Sequence, residues 1–303
     1  MRILLLLAAL LLAAPSAPAA AQRGPLSGFD AYVTQAMRDW KVPGLAIAIV
    51  RNDSIVHMRG YGTRRMNATE PVDENTLFAV GSTSKAFTAT LVGMLVDEGK
   101  VRWDDPAHVH LPGLELFDPY VSKELTIRDL LTHRSGLSRG DLIWYATDYD
   151  RREILRRARH LKPQWSVRAR FGYQNIMYLA AGEVASGVTG RTWDDLIRER
   201  LLTPLGMTRT NTSTSTLAGT SNVATPHAEI DDTLRIVSWH NIDNIGPAGS
   251  INSGRRARYW WWRTRRRPGP PRAVICSTAV TRSRPRRRST RVSPRPSCCA
   301  PKY

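Results

Sequence analysis

Phe78-Ala79-Val80-Gly81-Ser82-Thr83-Ser84-Lys85 leads directly into a largely apolar stretch, Ala86 to Val96, and these residues decide the fold. The run predicts a buried helix with Ser82 and Lys85 at its mouth. Positions i and i+3 of a helix share a face about one turn apart, so the hydroxyl and the amine can meet. An unassisted serine hydroxyl is a poor nucleophile, and a neighbouring amine can take its proton when burial keeps that amine partly neutral. Unpaired N–H groups and the positive dipole end at a helix N-terminus suit a developing oxyanion. The segment reads as half of an acyl-transfer site.

Outward from it the chain reads as mixed α/β. Phe29 to Trp40 has the pattern of an amphipathic helix. Val42-Pro43-Gly44 is a turn, and Leu45 to Val50 an apolar run of strand length. Asn52-Asp53 can turn the chain back into Ser54 to Met58, with Gly60-Tyr61-Gly62 ending the hairpin. The Ser82 helix should stop at Glu98-Gly99. Further helices are expected from Ile127 to Leu131, Asn175 to Ser186 and Trp193 to Leu202.

The two ends differ from this body. Met1-Arg2, an apolar run from Ile3 to Ala14 and the close Ala19-Ala20-Ala21 describe a secretory signal peptide over residues 1–21, so export to the periplasm or beyond is expected. The formal charge of +18 points to nucleic acid until it is located. Residues 254–303 hold 16 Lys and Arg and no acid, which leaves 28 basic and 26 acidic residues in 1–253. All three cysteines, Cys276, Cys298 and Cys299, also lie there. The body, 22–253, is close to neutral, cysteine-free and needs no disulfide framework.

The string from Phe78 to Lys85 resembles the active-site segment of the serine β-lactamase and penicillin-binding-protein superfamily, nearest the class C β-lactamase branch with its D-alanyl-D-alanine carboxypeptidase and esterase relatives. Ordered companions support the likeness: Val42-Pro43-Gly44, Leu130 to Leu137, Tyr173-Gln174-Asn175, Pro204-Leu205-Gly206-Met207 and Gly246-Pro247-Ala248-Gly249. It covers residues 28–253. It implies an α/β (α+β) fold, an antiparallel sheet flanked by helices with an inserted helical lobe. It also implies an exported serine hydrolase acting on amide or ester bonds of a small-molecule or peptidoglycan-type acyl substrate, with no cofactor, metal or nucleic-acid partner and no membrane span once the leader is cleaved.

The same resemblance implies the roles. Ser82 is the nucleophile, Lys85 shares its proton, and Tyr173 acts as base and then as acid to the leaving group. Asn175 orients Lys85 and the substrate amide, and Gln174, where the family most often has serine, bears on specificity. A phenol titrates too high to be a base in water, but a nearby ammonium favours its phenolate. Taken singly, Ser82 is a helix cap, Tyr173 a core aromatic and Asn175 an N-cap; their shared order favours the site. His133 reads as structural, and the other histidines show no metal-ligand spacing. Gly136-Leu137-Ser138-Arg139-Gly140 fits G-x-S-x-G, but that elbow needs a strand before its serine, and a helix-like segment precedes it here.

The family's late K-T-G or H-x-G segment is missing, and the chain changes character after Ser253. Residues 254–303 therefore read as a disordered Arg/Pro-rich tail, by composition an out-of-frame sequence, with the fold truncated after 253. On that reading the hairpin of 45–58 lacks sheet partners, and folding and turnover are expected to be poor. The alternatives are a non-catalytic acyl-peptide-binding relative and a basic-tail tether to anionic surfaces or nucleic acid.

Overall fold

Gly44–Arg51 (β1) and Ser54–Gly62 (β2) pair antiparallel from Gly44↔Gly62 to Arg51↔Ser54, with one irregularity between Ile49 and Val50. The computed structural model describes residues 26–52 and 54–254, together with the backbone of 272–277 and 280–282. β2 runs past Met58 and ends within the expected Gly60-Tyr61-Gly62 at Gly62, whose φ of 66° is left-handed, while Gly60 inside the strand serves close approach. A Cβ at Gly60 would collide with the Val72 carbonyl oxygen, and one at Gly44 with that of Thr63.

The chain divides into two units, residues 1–40 and 41–303. The first holds α1, Phe29–Asp39, with Asp30 in its first turn and Arg38 in its last, both signs favourable to the helix dipole. The signal-peptide reading of residues 1–21 lies outside the described residues.

In the second unit Phe78–Ala79 forms β3 and a 3-10 turn, Gly81–Thr83, opens α2 at Ser84–Asp97. Then follow α3 (Ala107–His110), α4 (Pro119–Glu124), α5 (Ile127–Thr132), α6 (Arg151–Ala158), α7 (Asn175–Thr189) and α8 (Trp193–Ile197). The hairpin β4 (His227–Ile230) and β5 (Thr233–Ile236) precedes the short α9 (Gly246–Gly249) and β6 (Asn252–Ser253). Of the 15 residues of α7, 10 are buried, which makes it a core helix. Leu91, Val92 and Leu95 of α2, Ile127 and Leu130 of α5, Ile154 of α6 and Trp193 of α8 belong to the same cluster. Among the described residues no helix is long and apolar enough to cross a membrane.

β3 pairs with β6, so the segment after α9 lies along the turn that carries Ser82. The Val80 N–H donates to the Ile251 carbonyl at 2.9 Å, and the Ile251 N–H to Ser84 Oγ at 3.1 Å. The fully buried Thr88 hydroxyl donates to the Pro247 carbonyl at 2.7 Å and accepts from the Trp193 indole at 3.0 Å. α2, α8 and α9 are thereby fixed to one another.

The hairpin is not left without a partner. Arg272–Ser277 (β7) pairs antiparallel with β1, from Leu45↔Ser277 to Val50↔Arg272, giving the order β2–β1–β7. Val280–Arg282 (β8) runs parallel to β4 at the edge of the sheet β5–β4–β8. This corrects the expectation that the hairpin of 45–58 lacks sheet partners and that residues 272–277 and 280–282 carry no regular structure. Ala273-Val274-Ile275-Cys276 is a short unbroken apolar run, not an alternating one, and its Arg and Pro surroundings mask it. The rest of the tail, 255–271, 278–279 and 283–303, lies outside the described residues, and so does the reading of it as disordered.

Candidate active site

Ser82 sits exposed in the 3-10 turn, while Lys85, one turn on, is 7% exposed. Two buried anchors fix the turn. Ser84 Oγ donates to the Gly81 carbonyl at 2.7 Å and accepts from Ile251, so the nucleophile candidate stands on a braced backbone. Lys85 Nζ lies 3.3 Å from Ser82 Oγ, 2.8 Å from Asn175 Oδ1 and 2.8 Å from the Ala248 carbonyl oxygen. The Tyr173 hydroxyl is 2.5 Å from Ser82 Oγ. Ser82, Lys85, Tyr173 and Asn175 thus form one connected group.

Asn175 is the first residue of α7, and its Nδ2 donates to Asp141 Oδ1 at 3.0 Å. Gln174 is fully buried, with both ends of its amide engaged. Its Oε1 caps α7 by accepting from the Ile176 N–H at 3.0 Å, and its Nε2 donates to the Ser138 carbonyl. Gln174 thereby ties the Ser138 loop to the start of α7.

Burial brings the Lys85 ammonium down to about 7, Arg139 adds repulsion, and Asp141 works against both. Lys85 Nζ also stands 4.8 Å from the Tyr173 ring centre and 5.4 Å from that of Tyr178. Burial, with Tyr173 second, raises Tyr178 to about 12, and its hydroxyl donates to the Leu131 carbonyl at 2.9 Å.

His133 caps α5 at a left-handed φ of 60°. Its Nδ1 accepts from the Gln174 N–H at 3.1 Å, and burial followed by the Lys85 charge lowers it to about 4. The neutral ring lies 4.7 Å from that of Tyr173 and 5.1 Å from that of Tyr178. It is a packing surface for Tyr173, in keeping with its structural reading. Ser138 stands on a loop between α5 and the 3-10 turn Asp141–Ile143, with no strand before it, so the G-x-S-x-G string is not an elbow. Among the described residues no group of three or more His, Cys, Asp or Glu could hold a metal ion.

Sequence reasoning missed two contributors. The Ala248 carbonyl is a backbone atom; only the string Gly246-Pro247-Ala248-Gly249 marked its neighbourhood. Asp141 stands 34 positions before Asn175 in no motif, and only the fold brings them together.

Residues 29–272 match the family model described as Beta-lactamase. Unguisins hydrolase ungD of Aspergillus violaceofuscus (strain CBS 115571) is 31% identical over 245 residues, 76% of this chain and 43% of that protein. A Beta-lactamase of Pseudomonas fluorescens is 29% identical over 184 residues, covering 60% of this chain and 49% of the relative. The chain spans less than half the length of either relative. Among solved structures, the octameric penicillin-binding protein homologue from Pyrococcus abyssi superposes with a TM-score of 0.70 at 24% identity, over 79% of this chain and 56% of that one. A class C beta-lactamase gives 0.66 at 23% identity, over 78% and 63%. These two likenesses carry the fold.

Proposed function

Since the chain belongs to the beta-lactamase family, we propose that it hydrolyses amide or ester bonds of small acyl substrates through a covalent acyl intermediate on Ser82. The observation that carries this reading is the 2.5 Å contact between Ser82 Oγ and the Tyr173 hydroxyl, with Lys85 Nζ 3.3 Å away. A lysine brought near neutrality is a competent proton acceptor. In the neutral amine two N–H groups serve the Asn175 and Ala248 oxygens, and the lone pair is left for the Ser82 hydroxyl. Ser82 Oγ attacks the carbonyl carbon, its proton passes to the Lys85–Tyr173 pair, and Tyr173 returns a proton to the leaving nitrogen or oxygen. Water then attacks the acyl-serine by the same route in reverse. The turn leading into α2 places Ser82 at a helix N-terminus, whose field favours the developing oxyanion.

The substrate class is a β-lactam, a D-alanyl peptide or an ester, and the export expected from residues 1–21 belongs to the same proposal. One relative is named for hydrolysing unguisins and another as a β-lactamase, a spread that keeps the substrate open within acyl compounds. The test is a panel of nitrocefin, p-nitrophenyl acetate and fluorescent penicillin, with mass spectrometry of the adduct. The wild-type chain should acquire the acyl group on Ser82, Ser82→Ala should acquire none, and Tyr173→Phe should acylate about 100- to 10,000-fold more slowly. An adduct elsewhere, or turnover that survives Ser82→Ala, refutes the proposal.

A further inference from the structure

A carboxamide is nearly symmetric in shape, so packing alone does not decide which end of Asn175 meets Lys85. Chemistry decides it, because the amine has hydrogens to give and only the amide oxygen can receive them. The opposite end then needs an acceptor. Asp141 Oδ1 is that acceptor, 3.0 Å from Asn175 Nδ2, and an ionised carboxylate has no hydrogen with which to bond the amide the other way round. Asp141 is itself held. Its Oδ1 also accepts from the Trp144 indole at 3.1 Å, its Oδ2 from Arg139 Nε at 2.6 Å, and it opens the 3-10 turn after Gly140.

We propose that Asp141 is a positioning residue, which locks the Asn175 carboxamide with its oxygen toward Lys85 and so holds the amine on Ser82. Its kinetic consequence rests on the acyl-transfer reading, while its geometric claim does not. The groups that face Lys85 are Ser82 from its own turn, His133, Arg139 and Asp141 from the loop after α5, Tyr173, Asn175 and Tyr178 at and within the start of α7, and the Ala248 carbonyl from α9. Without the carboxylate, Asn175 can turn its Nδ2 toward the amine, and Arg139 loses its counter-charge. Both changes disfavour the ammonium.

The experiment follows the Lys85 amine by NMR in the full chain with isotopically enriched lysine. The sequence has six lysines, and Lys85→Arg identifies the resonance. Asp141→Asn is expected to lower the Lys85 titration midpoint by about 1 unit. In an Asn175→Ala background the same change should shift it by less than half as much. An unmoved midpoint overturns the proposal, and so does an equal shift in both backgrounds, which would mean that the charge acts through space alone. Asp141→Glu keeps acceptor and charge and guards against an amide variant that fails to fold: it should retain the wild-type midpoint, and a folded glutamate variant lowered by about 1 unit also overturns the proposal. Fluorescent-penicillin labelling is run in parallel. If wild-type Ser82 is not labelled, the acyl-transfer reading fails while the lysine titration still decides the role of Asp141.

Discussion

Burial sets Lys85 at about 7, whereas an unfolded lysine titrates near ~10.4. Between those values the unfolded chain binds the proton more firmly, so stability rises with pH across that window; below pH 7 the full penalty stands. Lys85→Met removes the titration. Relative to that variant, wild-type unfolding free energy should rise by about 2 kcal/mol from pH 7 to pH 9, read from urea unfolding at both values. A difference independent of pH would show an amine of ordinary basicity. The same residue marks the limit of the sequence reading. Ser82, Lys85, Tyr173 and Asn175 were legible because each is a side chain in an ordered string, and they meet in one group. Asp141 and the Ala248 carbonyl were not. One lies in no motif, and the other belongs to the backbone, whose partners only the fold determines.

At the scale of elements, α7 packs against α9 through a glycine. Replacing a glycine inside a helix with alanine ordinarily stabilises by about 1 kcal/mol. At Gly182 the sign should reverse, because a Cβ there would collide with the Pro247 ring and sit 3.2 Å from the Trp193 indole. Pro247 adjoins Ala248, so the strain is delivered to the carbonyl that accepts from Lys85. Gly182→Ala is therefore expected to lower stability by about 1–3 kcal/mol and to slow Ser82 acylation, checked by thermal unfolding and fluorescent-penicillin labelling. A stabilised variant with unchanged labelling would mean that α9 yields freely. Long apolar helices such as α2 and α7 could be read from the sequence because their patterns run for several turns. β4 and β5 span four residues each, and α9 a single turn, so their local signal is too short to separate from loop. β2 continues past Met58 because Gly60 marks close backbone approach within the strand, and it ends at Gly62 as the glycines suggested.

Across the whole molecule, charge and sheet edge are joined at the same segment. Residues 254–303 carry 16 of the 44 basic residues and, with no acids, leave the remainder at a formal net charge of +2. They also contain β7, which covers the edge of β1 from Leu45 to Val50. Leu45-Ala46-Ile47-Ala48-Ile49-Val50 is an apolar strand without a charge, the kind of edge that pairs with other chains when exposed. Deleting 254–303 should therefore cause concentration-dependent aggregation, seen by light scattering against the full chain at equal concentration. Two causes act in that deletion, since a net charge near zero also favours association. Replacing only residues 272–277 with Gly and Ser separates them, because it removes one arginine and keeps the other fifteen basic residues. If the β7 pairing protects β1, this chain too should aggregate, and salt should change its onset little. If it stays as soluble as the full chain, repulsion among the arginines accounts for the solubility and the β1–β7 pairing contributes nothing to it.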